Sequence, residues 1–130
     1  MHELSHDLTT SYLQLWSTSN QAALADVGQI YASRIRFYGK AVDRRTLWNE
    51  KRRFTQRWPV RSYAHRPGTM RTDCDVAGRS CRVRAIIDWT ASNPSRGAAS
   101  RGSSLFELGI DFSGPQPLVQ SETGQVVARR

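Results

Sequence analysis

Proton chemistry on a carbonyl compound needs a carboxylate or imidazole of shifted pKa facing a hydroxyl donor that can steady an enolate-like oxygen. The residues of this chain that fit those roles best are His65 and Tyr63, two apart in "VRSYAH", with Tyr38 as a further donor. Period-two spacing puts Tyr63 and His65 on one face and Val60, Ser62 and Ala64 on the other, without fixing which face looks inward. A single histidine on a strand more often serves packing than chemistry, and tyrosines such as Tyr12, Tyr31 and Tyr38 more often bury a ring and hydrogen-bond at a rim. Asp88, Glu107 and Asp111 alternate with apolar neighbours and so point away from the interior, which counts against each as a base. No catalytic residue is assigned, and His65, Tyr63 and Tyr38 stand as weak candidates.

Other chemistries fail on spacing. Ser103 and Ser104 have no neighbouring histidine for a nucleophilic triad. "PSRGAASRG" has the composition of a phosphate loop but lies between two strands, with no helix N-terminus to receive a phosphate. Cys74, Cys81 and a distant His65 do not make four zinc ligands. Neither a metal nor a cofactor is expected.

Cys74 and Cys81 are the only cysteines. The residues between them centre on Ala77-Gly78, a hairpin turn that would set the two side chains opposite each other. A disulfide there would contribute on the order of 2.5 kcal/mol less any strain. The alternative is a pair of buried thiols in a reducing cytosol; the pairing favours a periplasmic or secreted protein over a cytoplasmic one.

The chain has 130 residues, the length of one domain, and carries 19 basic against 11 acidic side chains, a net charge of +8. That field attracts anions in general without defining a site. All but Lys40 and Lys51 of the basic residues are arginine, a bias better explained by a GC-rich bacterial genome than by nucleic-acid contacts, which use both residue types. No apolar run reaches the roughly 18 residues that span a bilayer. The first residues lack the layout of a signal peptide, although a start inside a longer protein would hide one.

The elements that must position these residues follow from periodicity. Residues 4–19 place Leu8, Tyr12, Leu15, Trp16 and Ser19 on one helical stripe. "NQAALADVGQIY" reads as a second helix with Asn20 as N-cap, running into the strand "YASRIRFYG", which Gly39 ends. Asp43 then caps a third helix with Leu47, Lys51, Phe54 and Trp58 on one face, stopped by Pro59. The arginines of that helix occupy its other faces, so it reads as a solvated basic surface and not as a nucleic-acid grip; an acidic protein or polymer is the partner it could attract.

From Val60 the period changes to two, giving four strands: "VRSYAHRPGTMRTDC", "CRVRAIIDWTAS", "SSLFELGIDFSG" and "PLVQSETGQVVAR". Two carry a clean apolar face, Cys81, Val83, Ala85, Ile87 and Trp89 on one, Ser104, Phe106, Leu108, Ile110 and Phe112 on the other. The reverse faces are mixed, with Ile86 and Leu105 among charges, a surface suited to a second copy of the chain. The loop Asn93 to Gly102 is Ser-, Gly- and Arg-rich and suggests mobility.

Three N-terminal helices packed on a curved, mostly antiparallel sheet make an α+β domain. The order resembles the nuclear transport factor 2-like superfamily, the cone-shaped fold shared with ketosteroid isomerases and polyketide cyclases. "LADVGQIYA", "RIRFYG", "DRRTLWNEKRRFTQRWP" and the meander from "VRSYAHRPG" to "GQVVAR" carry the resemblance, over residues 5 to 128. The run "FYG...K..F..RWP..SY...PG" resembles the form this domain takes as an accessory module in larger bacterial envelope proteins.

The resemblance implies a pocket at the wide end of the cone, for which Tyr12, Trp16, Tyr31, Trp48 and Trp89 are the candidate lining. Where enzymes of the superfamily carry an inward Asp or His on the sheet, the matching segments here show Ala85, Ile87, Leu108 and Ile110. The reading that results is a single non-catalytic binding or dimerisation module of a bacterial envelope or secreted protein, a homodimer through its sheet faces. A pocket enzyme of the isomerase or cyclase type is the alternative, and nucleic-acid binding through the basic helix a second.

Overall fold

A computed structural model describes all 130 residues. Its elements are α1 (His2–Leu15), α2 (Asn20–Ala25), α3 (Val27–Ile30), β1 (Tyr31–Phe37), β2 (Lys40–Asp43), α4 (Arg44–Arg57), β3 (Val60–His65), β4 (Arg71–Asp75), β5 (Ser80–Asn93), a 3-10 turn at Pro94–Arg96, β6 (Ala98–Asp111) and β7 (Leu118–Arg129). The strands form one open sheet in the order β2-β1-β7-β6-β5-β3, with β4 also on β5. Only β1 and β7 run parallel; the other pairs are antiparallel. The helices cover one face, and the α+β cone anticipated above is the fold.

Local chemistry accounts for the punctuation. Ser19, not Asn20, caps α2 through its side chain, and Asp43 caps α4 by accepting from Thr46 N at 2.7 Å. Asn20 is thereby free to join a knot around Arg61, which is 5% exposed on β3. The Arg61 guanidinium donates to the carbonyls of Trp16, Thr18 and Trp58 and to Asn20 Oδ1. A cation thus satisfies backbone oxygens left over where α1 and α4 end.

Sequence and structure differ at three connections. Tyr38-Gly39 is a two-residue turn with positive φ at both positions, 50° and 83°, as a type I′ hairpin requires, so a short extra strand, β2, folds back on β1 before α4 begins. The stretch 60–75 is two strands, because Pro67-Gly68 turns the chain between β3 and β4 and both then pair with β5. The stretch after Asn93 is mostly strand: β5 and β6 pair from Ser80↔Asp111 to Asn93↔Ala98 around the short 3-10 turn. Cys74 and Cys81 sit opposite each other on β4 and β5 and are joined in a disulfide.

The inner sheet face packs Ala85, Ile87, Phe106, Leu108 and Val119 against Tyr12, Leu13, Trp16, Val27 and Leu47. On α4 only Leu47 joins this core, although Thr55 is also buried. Leu47 is fully buried, whereas Phe54, expected on the packed stripe, is 45% exposed. Space remains between the second half of α4 and the sheet, and that space is the site.

Candidate functional site

A cavity of about 920 Å³ opens between α1, α4 and the inner sheet face, well within the size range of small-molecule sites. Its walls are largely aromatic: Trp16 from α1, Phe37 and Tyr38 from the β1–β2 hairpin, Phe54 and Trp58 from α4, Tyr63 from β3, Trp89 from β5 and Phe106 from β6. Phe54 and Trp58 therefore line a void where the helical spacing suggested packing.

Its floor is ionic. Glu122 of β7 is 3% exposed. Its Oε1 accepts from the hydroxyls of Tyr12 at 2.5 Å and Tyr31 at 2.8 Å, and its Oε2 accepts from Lys51 Nζ at 2.8 Å. Lys51 Nζ also lies 3.3 Å from Tyr12 Oη and stands over the rings of Trp16, Phe37 and Tyr12, 4.6–5.8 Å from their centroids. The carboxylate has three donors and the ammonium an aromatic cage, so neither charge is left bare in the interior.

Burial and then the Glu122 charge push the Tyr31 and Tyr12 phenols well above the ordinary tyrosine range. Both stay protonated at neutral pH and act as donors. Burial likewise pushes Tyr63 up to about 12 and raises Tyr38.

An irregularity in β7 aims Glu122 inward. Val119 pairs with Ile110, but Ser121 already pairs with Gly109, leaving Gln120 as an extra residue. The bulge resets the alternation, so that Val119 faces in and, three residues on, Glu122 does too. Gly109 makes room for it: a Cβ there would lie 2.1 Å from Ser121 Oγ. The expectation that no acid faces the interior fails at this point. Strict alternation from Val119 turns Glu122 outward, and only the bulge reverses that. Lys51 was visible in the sequence as the one charge on the apolar stripe of α4.

The residues singled out from sequence are placed as follows. Tyr12 and Trp89 border the cavity, and Tyr31 lies beneath its floor, fully buried. Tyr38 is half-exposed at the lip. Tyr63 and His65 share the inner face, but only Tyr63 reaches the cavity; His65 is half-buried beyond it, its Nδ1 without a partner. Trp48 lies outside, on the surface, donating its indole N–H to Leu24 O at 3.2 Å.

Asp88, Glu107 and Asp111 lie on the outer side. Asp88 is bound by Arg66 at 2.8 Å and Ser103 at 2.6 Å, and Glu107 by Arg84 at 2.7 Å. No group of three or more His, Cys, Asp or Glu side chains comes together as a metal site, and no helix is long and apolar enough to cross a membrane.

This architecture is the open α+β cone that a solved structure describes as a cystatin-like fold. No protein-family model matches the chain, and no curated protein matches it in sequence. Solved structures do match in fold. A protein assigned as a scytalone dehydratase from Novosphingobium aromaticivorans superposes with a TM-score of 0.78 at 7% identity, covering 96% of this chain and 83% of that one. An uncharacterised cystatin-like protein from Caulobacter vibrioides gives 0.76 at 13%, over 97% and 89%. A SnoaL-like polyketide cyclase from Agrobacterium tumefaciens gives 0.58 at 13%, over 93% and 89%. At such identities the likeness is one of fold.

Proposed function

We propose that the cone is a small-molecule site in which Glu122 exchanges a proton with a ring-bearing carbonyl or hydroxyl compound, in an isomerisation, dehydration or cyclisation. The observation that carries this reading is the buried Glu122–Lys51–Tyr12 group at the floor of an open aromatic cavity. Oε2 accepts from Lys51 alone and keeps a lone pair for a substrate proton. The Lys51 ammonium, close by in a site of low dielectric, favours negative charge developing on a substrate oxygen. Dehydration and cyclisation are also the reactions named for two of the fold neighbours.

The experiment is deuterium incorporation from D₂O into a panel of ring ketones, followed by proton NMR. Exchange by the native protein should fall by roughly a hundredfold or more in Glu122→Gln, the range for loss of a positioned proton carrier. Tyr12→Phe, which keeps the carboxylate, should retain part of the rate. A panel that binds without exchanging would overturn proton transfer.

A second reading keeps the cone as a non-catalytic binding and dimerisation module of an envelope or secreted protein. The Cys74–Cys81 disulfide supports an oxidising compartment, periplasmic or extracellular. Leu105, 43% exposed among the outer-face ion pairs, supports a homodimer through the sheet. Sedimentation equilibrium of the native chain and of Leu105→Asp separates the cases: a native monomer removes the dimer. The net charge of +8 leaves room for an acidic protein or polymer partner, and nucleic-acid binding through α4 has no feature in its favour beyond that charge.

A further inference from the structure

The cavity's charges are unevenly spent. Five basic residues line it, Lys40, Lys51, Arg57, Arg61 and Arg129, against two acidic ones, Glu50 and Glu122. Lys51 is neutralised by Glu122, Arg61 is consumed by backbone carbonyls, and Glu50 is paired with Arg53. Lys40, Arg57 and Arg129 have no ion-pair partner.

Arg57 and Arg129 border the same end of the cone. The Arg57 carbonyl accepts from Asn93 Nδ2 at the close of β5, and Arg129 pairs with Gly102 near the start of β6. One indole stands beside Arg57, and a second lies against Gly102, the residue that Arg129 pairs with. The Arg57 guanidinium stands 5.7 Å from the Trp58 ring. Trp89 leans across Gly102, where a Cβ would come within 2.6 Å of its ring and 2.2 Å of the Ala128 carbonyl. Both indoles and both arginines line the cavity.

We infer that this end is an anion subsite and that the guest is an aromatic acid. Its carboxylate lies between Arg57 and Arg129, its ring lies against Trp58 and Trp89, and its far end reaches the Lys51–Tyr12 floor. A neutral apolar guest would fill the aromatic walls and leave two unpaired guanidinium groups at the rim; an aryl carboxylate uses both. An acid bound the other way round would bring its charge against Glu122, a like-charge contact in a site of low dielectric. The inference rests on the small-molecule reading above and adds the class of molecule.

The test compares 2-naphthoate with its neutral isostere 2-naphthamide, titrated into the full chain with tryptophan fluorescence as readout, since Trp16, Trp58 and Trp89 line the cavity. Naphthoate is expected to bind more tightly at low salt and to lose that advantage as salt rises. Arg57→Gln and Arg129→Gln should each weaken naphthoate by about threefold to fivefold, the range of a solvent-accessible ion pair. Naphthamide binding should not change, which also shows that the variants fold. Equal affinity for the two compounds, or arginine variants that leave naphthoate unaffected, overturns the anion subsite and leaves the cavity reading in place. Failure of both compounds to bind overturns the cavity reading itself.

Discussion

The two faces of the sheet hold the same kind of group in opposite surroundings. On the inner face Glu122 and Lys51 pair at 2.8 Å with side chains 3% and 13% exposed; on the outer face Asp88 and Arg66 pair at the same distance with 40% and 44% exposed. Geometry does not distinguish them, but water does. The outer pair gains modest Coulomb energy in a high dielectric and is screened by salt. The inner pair has lost its hydration and holds together only because two phenols and three aromatic rings replace it. A buried pair of this kind is a poor source of net stability but a preorganised set of donors and an acceptor, which is what proton transfer uses.

The contrast is broken most severely by removing one inner partner. Lys51→Met leaves the Glu122 carboxylate with its two phenols and no counter-charge, and should destabilise the fold by about 3 kcal/mol in urea unfolding, the low end for a buried pair because the cavity admits water. The double change Lys51→Met with Glu122→Leu should regain most of that loss, since no charge is then stranded. If the single change costs no more than a surface substitution, the two faces are electrostatically alike and the floor is wetter than described.

A smaller effect sharpens the same contrast at high pH. Tyr12, Tyr31, Tyr38 and Tyr63 all have raised pKa values, Tyr63 to about 12. In the unfolded chain a tyrosine ionises near 10. Above that pH the folded state binds more protons than the unfolded state, so stability is intact below about pH 10 and declines as pH rises toward the folded values. Absorbance of phenolate at 295 nm should remain low in the folded protein at pH 11 and appear together with unfolding. Phenolate that forms gradually near pH 10, with far-UV circular dichroism unchanged, would mean that the phenols face water.

How much of this was legible in the sequence depended on whether local pattern decided it. Asp43 and Pro59 bounded α4 correctly because capping and the missing proline N–H act within a few residues. The inner faces of β5 and β6 followed from strict alternation, and the hairpin placed Cys74 opposite Cys81. The floor was hidden because it is set by pairing between strands. Whether Glu122 looks in or out depends on the extra residue Gln120, and so on how β7 registers against Gly109 and Ile110 of β6, which no window on β7 alone contains. Lys51 had the opposite problem: the stripe of Leu47, Lys51, Phe54 and Trp58 put it on the inner face, but its only acidic partner lies 71 residues away. The void beside Phe54 is likewise bounded by residues of α1, the β1–β2 hairpin and the sheet, which no window on α4 contains.

The smallest expected effect lies at Asp88. Arg66, then Ser103, hold its carboxyl down at about 2. Because the folded value is depressed, the contribution is present above the unfolded aspartate value of about 3.9 and is lost as pH falls from there toward 2. Asp88 is open to solvent, so screening removes most of what the pairing provides. Asp88→Asn should move the urea midpoint only slightly at low salt, between pH 5 and 7, and not measurably in about 1 M salt, where the screening length is about 3 Å. The informative failure is a large effect that persists at high salt. A pair exposed in one chain behaves like a buried pair only when something covers it, and on this face that cover would be the sheet of a second copy, bringing Leu105 and the Arg66–Asp88 pair into an interface and making the two faces alike.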